Sequence, residues 1–188
     1  MRLLQAIAGG AHGGAEAFFE RLAIAFARTE LDQRVLIRSN AARRTKLAEN
    51  GVDVVGLGFG GLLDFATGRA VARKIEEFDP DVVLTWMNRA TRFCPHARVR
   101  SFVHVARLGG YYNLKYYRGC DHLVGNTKDI VRYLVDQGWP KYRAHYLPNF
   151  VDARPMSPES RAVQETPDDA TLLLALGRLH ENKAFDVL

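Results

Sequence analysis

Short apolar runs alternate along this chain with segments whose apolar positions recur every three or four residues. Residues 3–8, 34–39, 52–57, 82–87, 100–106, 121–127 and 144–152 are the apolar runs, and each reads as a strand, the last one continuing into an exit loop. Between them, Ala15, Phe18, Phe19, Leu22 and Phe26 fall on one helical face. Residues 45–51 read as a second helix, closed by Gly51. Phe65, Val71, Ile75 and Phe78 mark a third, stopped by Pro80. A fourth starts at Thr127 as N-cap, carries Ile130 and Leu134 inward, and ends at Gly138 and Pro140.

Strands alternating with helices predict an α/β fold, a Rossmann-like, doubly wound parallel sheet with ligands outside the carboxyl ends of its strands. The pattern fills residues 1–152. Residues 153–169 are rich in Pro, Ser and charge and read as a linker. Residues 170–188 open a second unit: an apolar strand at 172–176, a turn at Gly177, a charged loop and a helix start.

Composition narrows the function classes. No run approaches the eighteen or so apolar residues of a membrane helix, and the glycine-interrupted N-terminus reads as a buried strand rather than a signal peptide. Two cysteines make no disulfide framework, so a cytoplasmic location is expected. The net charge of +5 favours anionic partners. Its densest stretches are Arg34, Arg38, Arg43, Arg44 and Lys46, then Arg98, Arg100, Arg107, Lys115 and Arg118. Either reads equally as a solvated surface. No nucleic-acid motif is present, so no nucleic-acid partner is expected.

The glycines of "GGAHGG" (residues 9–14) lie between the first strand and the first helix, where bare backbone N–H groups and a helix N-terminus favour an anion. A tight turn without a ligand would read the same way. The Lys-Ser/Thr pair of a P-loop is missing. "GLGFGG" (56–61) spells a literal G-x-G-x-x-G with Glu76 and Glu77 downstream, yet it follows the third strand and a further glycine delays the helix. A loop is the better reading, with nicotinamide binding as its rival. Cys94-Pro95-His96 and Cys120-Asp121-His122 could supply four zinc ligands, but their spacing matches no zinc module and no metal site is expected.

"HVARLGGYYNLKYYRGCDH" (104–122) is the densest candidate chemistry. His104 is expected at a strand end. Arg107, Tyr111, Tyr112, Asn113 and Lys115 then crowd one connection, suited to an anionic, partly apolar ligand. The alternative is tyrosines packed on the sheet with wet hydroxyls.

In order, "GGAHGGAEAFFERLA", "GNTKDIVRYLVDQGWP", "YLPNFVD" and "ALGRLHENKAFDVL" resemble the family 4 retaining glycosyltransferases of the GT-B fold. The resemblance implies transfer of a sugar from a nucleotide-sugar donor to an acceptor hydroxyl with retention, without a metal or other cofactor. It implies that Gly13, Gly14, Arg178 and Lys183 contact the donor diphosphate, and that His104 lies near the transferred sugar. Two departures stand out: Phe150 replaces the Gly of the commoner P-N-G-V-D, and Ala184 the Gly that usually follows the Lys.

By this resemblance, the chain holds the acceptor-side domain and only the start of the donor-side domain, so it is expected to be inactive alone and to self-associate through the exposed apolar segment. The basic, tyrosine-rich stretch suggests an anionic acceptor, such as a lipopolysaccharide core or another membrane-associated glycan, met at the cytoplasmic face of the inner membrane. A non-catalytic Rossmann-like module binding an anionic glycan or a partner subunit is the remaining alternative.

Overall fold

The computed structural model describes residues 1–60, 64–95, 102–151, 157, 166–167, 169–177, 181 and 184–187. The chain divides into two compact units, Met1–Val151 and Asp152–Leu188.

The first unit contains seven strands: β1 (Arg2–Ile7), β2 (Asp32–Arg38), β3 (Asp53–Leu57), β4 (Val82–Trp86), β5 (Val103–Leu108), β6 (His122–Gly125) and β7 (Ala144–Tyr146). They form one sheet in the order β3-β2-β1-β4-β5-β6-β7, with every pairing parallel. The helices are α1 (Gly14–Phe26), α2 (Ala41–Glu49), α3 (Phe65–Phe78), α4 (Met87–Phe93) and α5 (Lys128–Asp136).

Both faces of the sheet are covered, which is why its strands read as near-continuous apolar runs. Neighbouring residues of β2 serve opposite faces. Val35 and Ile37 join Ile7, Phe18, Phe19, Leu47 and Trp86 in one cluster, while Leu36 joins Leu4, Ala6, Val71, Ile75, Phe78 and Val83 in the other. A third cluster forms around Ala106, Leu108, Tyr117, Leu123, Ile130 and Leu134. Each buried Val, Leu, Ile or Phe among them contributes about 1.5–3 kcal/mol by leaving water.

A polar chain crosses the sheet inside this core. Trp86 Nε1 donates to Gln5 Oε1 (3.0 Å), Gln5 Nε2 to Gln33 Oε1 (2.6 Å), and Gln33 Nε2 to the Ala23 carbonyl (2.9 Å). Each buried group finds a partner only in this register, so the chain ties β4, β1, β2 and α1 to one alignment.

The structure corrects several expectations. The fifth strand begins at Val103 and runs to Leu108, so Arg107 belongs to the sheet rather than to the connection after it. Helix α4, absent from the sequence reading, follows β4 directly, through Met87 at φ 60. The seventh strand is only Ala144–Tyr146.

In the second unit, the expected strand at 172–176 is not formed. Its residues carry no regular structure, and Leu173, Leu174 and Leu176 are largely exposed. Among the described residues no strand pairs with it, and an apolar run does not become a strand by propensity alone.

Candidate functional site

Strand order reverses direction between β1 and β4, and the loop leaving the carboxyl end of β1 lies at that switch point. It ends at Gly13, the N-cap of α1, whose extended backbone carries no capping side chain. The other described helices of eight residues or more are capped: Asn40 accepts from Arg43 N (2.8 Å), Asp64 from Thr67 N (2.9 Å) and Thr127 from Ile130 N (3.0 Å). The start of α1 thus has no side-chain cap, and the acid in its first turn is Glu16.

The loop is braced from behind. Arg43 is buried; its Nη2 donates to the carbonyls of Gly10 (3.0 Å) and Ala11 (3.1 Å), and its Nε pairs with Glu20 (2.8 Å). Lys46 Nζ completes the cluster at 2.8 Å from the other Glu20 oxygen. Burial raises the Glu20 carboxyl, but hydrogen bonds from Lys46 and Arg43 outweigh it and hold the group below its ordinary value. Glu16 folds back to accept from Gly10 N (2.9 Å). A Cβ at Gly13 would come within 2.1 Å of that carboxylate, so any larger residue there must displace Glu16. At Gly14 a Cβ would meet nothing within 4 Å: this side of the helix start is open.

Arg43 escaped the sequence reading, which took its stretch for a charged surface. The signal was present: with Asn40 as N-cap, Arg43 and Leu47 stand four apart on the inward face of α2.

The second glycine loop behaves differently. Phe59 N donates to Thr67 Oγ1 (3.0 Å) and Gly60 N to Asp64 Oδ2 (2.6 Å), while the Phe59 side chain is fully buried against Phe93. These N–H groups are spent on the loop's own side chains, and β3 is an edge strand away from the switch point. Gly61 lies outside the described residues.

His104 does not end a strand. It is the second residue of β5, fully buried, with Nε2 at 3.0 Å from Thr85 Oγ1 and 3.9 Å from Cys120 Sγ. The cause is the late start of β5, which puts His104 at the amino end of the strand. Arg107 is likewise not a surface cation. Only 3% exposed, it lies over the rings of Phe18 (4.4 Å) and Trp86 (4.9 Å), and its Nη2 donates to Leu147 O (3.2 Å) and Asn149 Oδ1 (2.7 Å). Burial pushes its guanidinium down to about 10. Phe150 then sets its ring edge-on against Phe18 at 4.9 Å, so the residue in place of the common Gly latches the exit loop onto α1.

The remaining acceptor-side expectations separate. Tyr111, Asn113 and Lys115 come together in a pocket of about 490 Å³ with Arg118, Tyr133 and Trp139. Tyr112 instead packs half-buried against the third core cluster, and burial raises its hydroxyl. Arg178 and Lys183 lie outside the described residues, as does His96. Among the described residues, no three His, Cys, Asp or Glu gather as metal ligands, and both cysteines are buried. No described helix is long and apolar enough to cross a membrane.

Against known proteins, the family model described as a glycosyl transferase 4-like domain matches residues 13–149. The chain is 37% identical over 179 residues to the lipopolysaccharide core biosynthesis glycosyltransferase LpsD of Rhizobium meliloti (strain 1021), covering 94% of this chain and 51% of LpsD. It is 31% identical over 182 residues to LpsE of the same strain, another lipopolysaccharide core biosynthesis glycosyltransferase, covering 95% and 52%. The chain thus spans about half the length of the curated relatives it matches. Among solved structures, Anabaena HepE in complex with UDP-glucose superposes with a TM-score of 0.63 at 15% identity, over 81% of this chain and 44% of HepE, a likeness of fold.

Proposed function

This chain belongs to the glycosyl transferase 4-like family, and from that premise we propose that it forms the acceptor-side domain of a retaining sugar transferase. The donor is a nucleotide sugar and the acceptor a hydroxyl of a lipopolysaccharide core, by analogy with the curated relatives. The observation that carries the reading is the uncapped start of α1 at the switch point, braced by Arg43 and open at Gly14. A diphosphate placed there meets unspent N–H groups and the positive end of a helix, which stabilise charge as it develops on the leaving group.

Gly13 and Gly14 hold the diphosphate from this side, with Arg178 and Lys183 as the proposed cations on the donor side. The diphosphate's own charge is met by these groups, and the reading assigns no metal. His104 is sealed inside the sheet, out of reach of a sugar, and has no catalytic role in this arrangement. Arg107 passes from acceptor contact to support of the exit loop. Work on a lipopolysaccharide core would bring the protein to the cytoplasmic face of the inner membrane.

The test is hexose transfer from nucleotide sugars to a lipopolysaccharide core acceptor by the gene's full product, wild type against Gly13→Ala. Transfer that falls by about 100-fold in the variant is expected, because the added methyl displaces Glu16 and with it the backbone N–H groups aimed at a developing anion. Undiminished transfer in a folded variant, or no transfer by the wild type to any core acceptor, would contradict the reading.

A further inference from the structure

The pocket beside α5 lies apart from the glycine loop and shares no lining residue with it. One wall comes from the connection between β5 and β6 (Tyr111, Asn113, Lys115, Arg118), the other from α5 and the residues just after it (Tyr133, Trp139). We infer that it binds one hexose unit carrying a single anionic group, carboxylate or phosphate, at a distance from the site of transfer. The inference rests on the transferase reading, since it takes the ligand to be part of an extended acidic acceptor.

Its aromatic rings are fixed in advance. Trp139 Nε1 donates to the Arg143 carbonyl at 3.1 Å, with the Arg143 guanidinium 5.4 Å from the ring centroid. Tyr133 donates its hydroxyl to the Tyr112 carbonyl at 3.1 Å. Tyr111 donates to Asp129 and stands edge-on to Tyr133, ring centroids 5.3 Å apart. Rings held this way offer apolar faces to the C–H side of a sugar at little entropic cost.

Charge sets the second half of the ligand. Lys115 and Arg118 line the pocket and no carboxylate does, so the wall formed by the β5–β6 connection is positive. The opposite wall includes Gln137 and Gly138, at the carboxyl end of α5, where the helix carries partial negative charge. A bare anion would be attracted on one side and repelled on the other. A sugar ring satisfies both, with its charged group toward Lys115 and Arg118 and hydroxyl donors toward the helix end. About 490 Å³ is ample for one ring with its substituent.

Trp139 is one of two tryptophans, and the other, Trp86, is buried in the core. Intrinsic fluorescence of the 188-residue chain therefore reports on the pocket. Galacturonate and glucose 6-phosphate should each change the emission saturably, with a Kd on the order of 1 mM. Galactose and glucose should bind about tenfold more weakly. The exposed double variant Lys115→Ala/Arg118→Ala should remove that advantage, and Trp139→Phe should remove the fluorescence change while calorimetry still detects binding.

Binding of one anionic hexose but not the other supports the inference and names the source of the charge. Four results would overturn it: equal affinity for the neutral hexoses, saturation by inorganic phosphate as tight as by glucose 6-phosphate, binding untouched by the double variant, or no saturation to about 20 mM. Sugar transfer in the Gly13→Ala experiment is read independently, so a failure of the pocket is distinguished from a failure of the transferase reading.

Discussion

Two glycine loops leave this sheet, one after β1 and one after β3, and in the one that spells a nucleotide-binding fingerprint the N–H groups of Phe59 and Gly60 are already engaged. In the β3 loop, the N–H groups of Phe59 and Gly60 close onto Thr67 and Asp64, and Asp64 also caps α3. In the β1 loop, Glu16 takes the Gly10 N–H and Arg43 the carbonyls of Gly10 and Ala11, while α1 is left without a capping side chain. Glycine content permits an anion site. What decides it is which backbone groups the rest of the fold has already claimed.

The sharpest way to break this comparison is one added methyl in each loop. Gly13→Ala drives a Cβ to 2.1 Å from Glu16 Oε2 and should cost about 100-fold in transfer rate. Gly58→Ala meets Thr67 Oγ1 at 3.3 Å and should leave transfer nearly unchanged. Steady-state kinetics of both variants, with circular dichroism to confirm folding, decides the matter.

Next in size is the brace. Arg43→Ala releases two carbonyls and a buried ion pair, and should destabilise the chain by about 1.5–3 kcal/mol, the range for hydrogen bonds to charged groups. Thermal melting should register that as a drop of roughly 5–10 °C. An unchanged melting temperature would show that the loop holds its shape without Arg43.

Asp64→Ala tests the other loop. It should lower the melting temperature by uncapping α3 and leave nucleotide binding alone. A loss of UDP affinity in this variant would return the β3 loop to consideration.

The smallest effect is on acid stability. The native Glu20 carboxyl is held below its ordinary value, so its contribution is present above pH 4.5 and fades as pH falls through the depressed native value. Replacing Glu20 with Gln should flatten the fall in melting temperature over that acid range. An equally steep fall in Glu20→Gln would place the acid sensitivity elsewhere.

These loops also show how far the sequence could be read. Strands such as Arg2–Ile7 and Asp32–Arg38 were legible because both faces of a parallel sheet are buried, which forces apolar runs. Helix α4 was not, since Trp86 passes into Met87 without any turn residue between them. The position of Gly13 and Gly14 at the start of α1 was legible from their place between strand and helix. Arg43 was hidden because a cation in a basic stretch reads as solvated, and Arg107 read as an acceptor contact; only tertiary structure shows both buried on backbone carbonyls. His104 misled because a strand boundary shifted by a few residues moves a side chain from the carboxyl edge into the core.

The most direct test of the open α1 terminus is a titration of the isotope-labelled chain with UDP, followed by backbone amide shifts. The account predicts perturbations centred on Gly13, Gly14 and Ala15, with the Gly56–Gly60 loop silent. Shifts centred on Phe59 and Gly60, or none in the loop before α1, would contradict it.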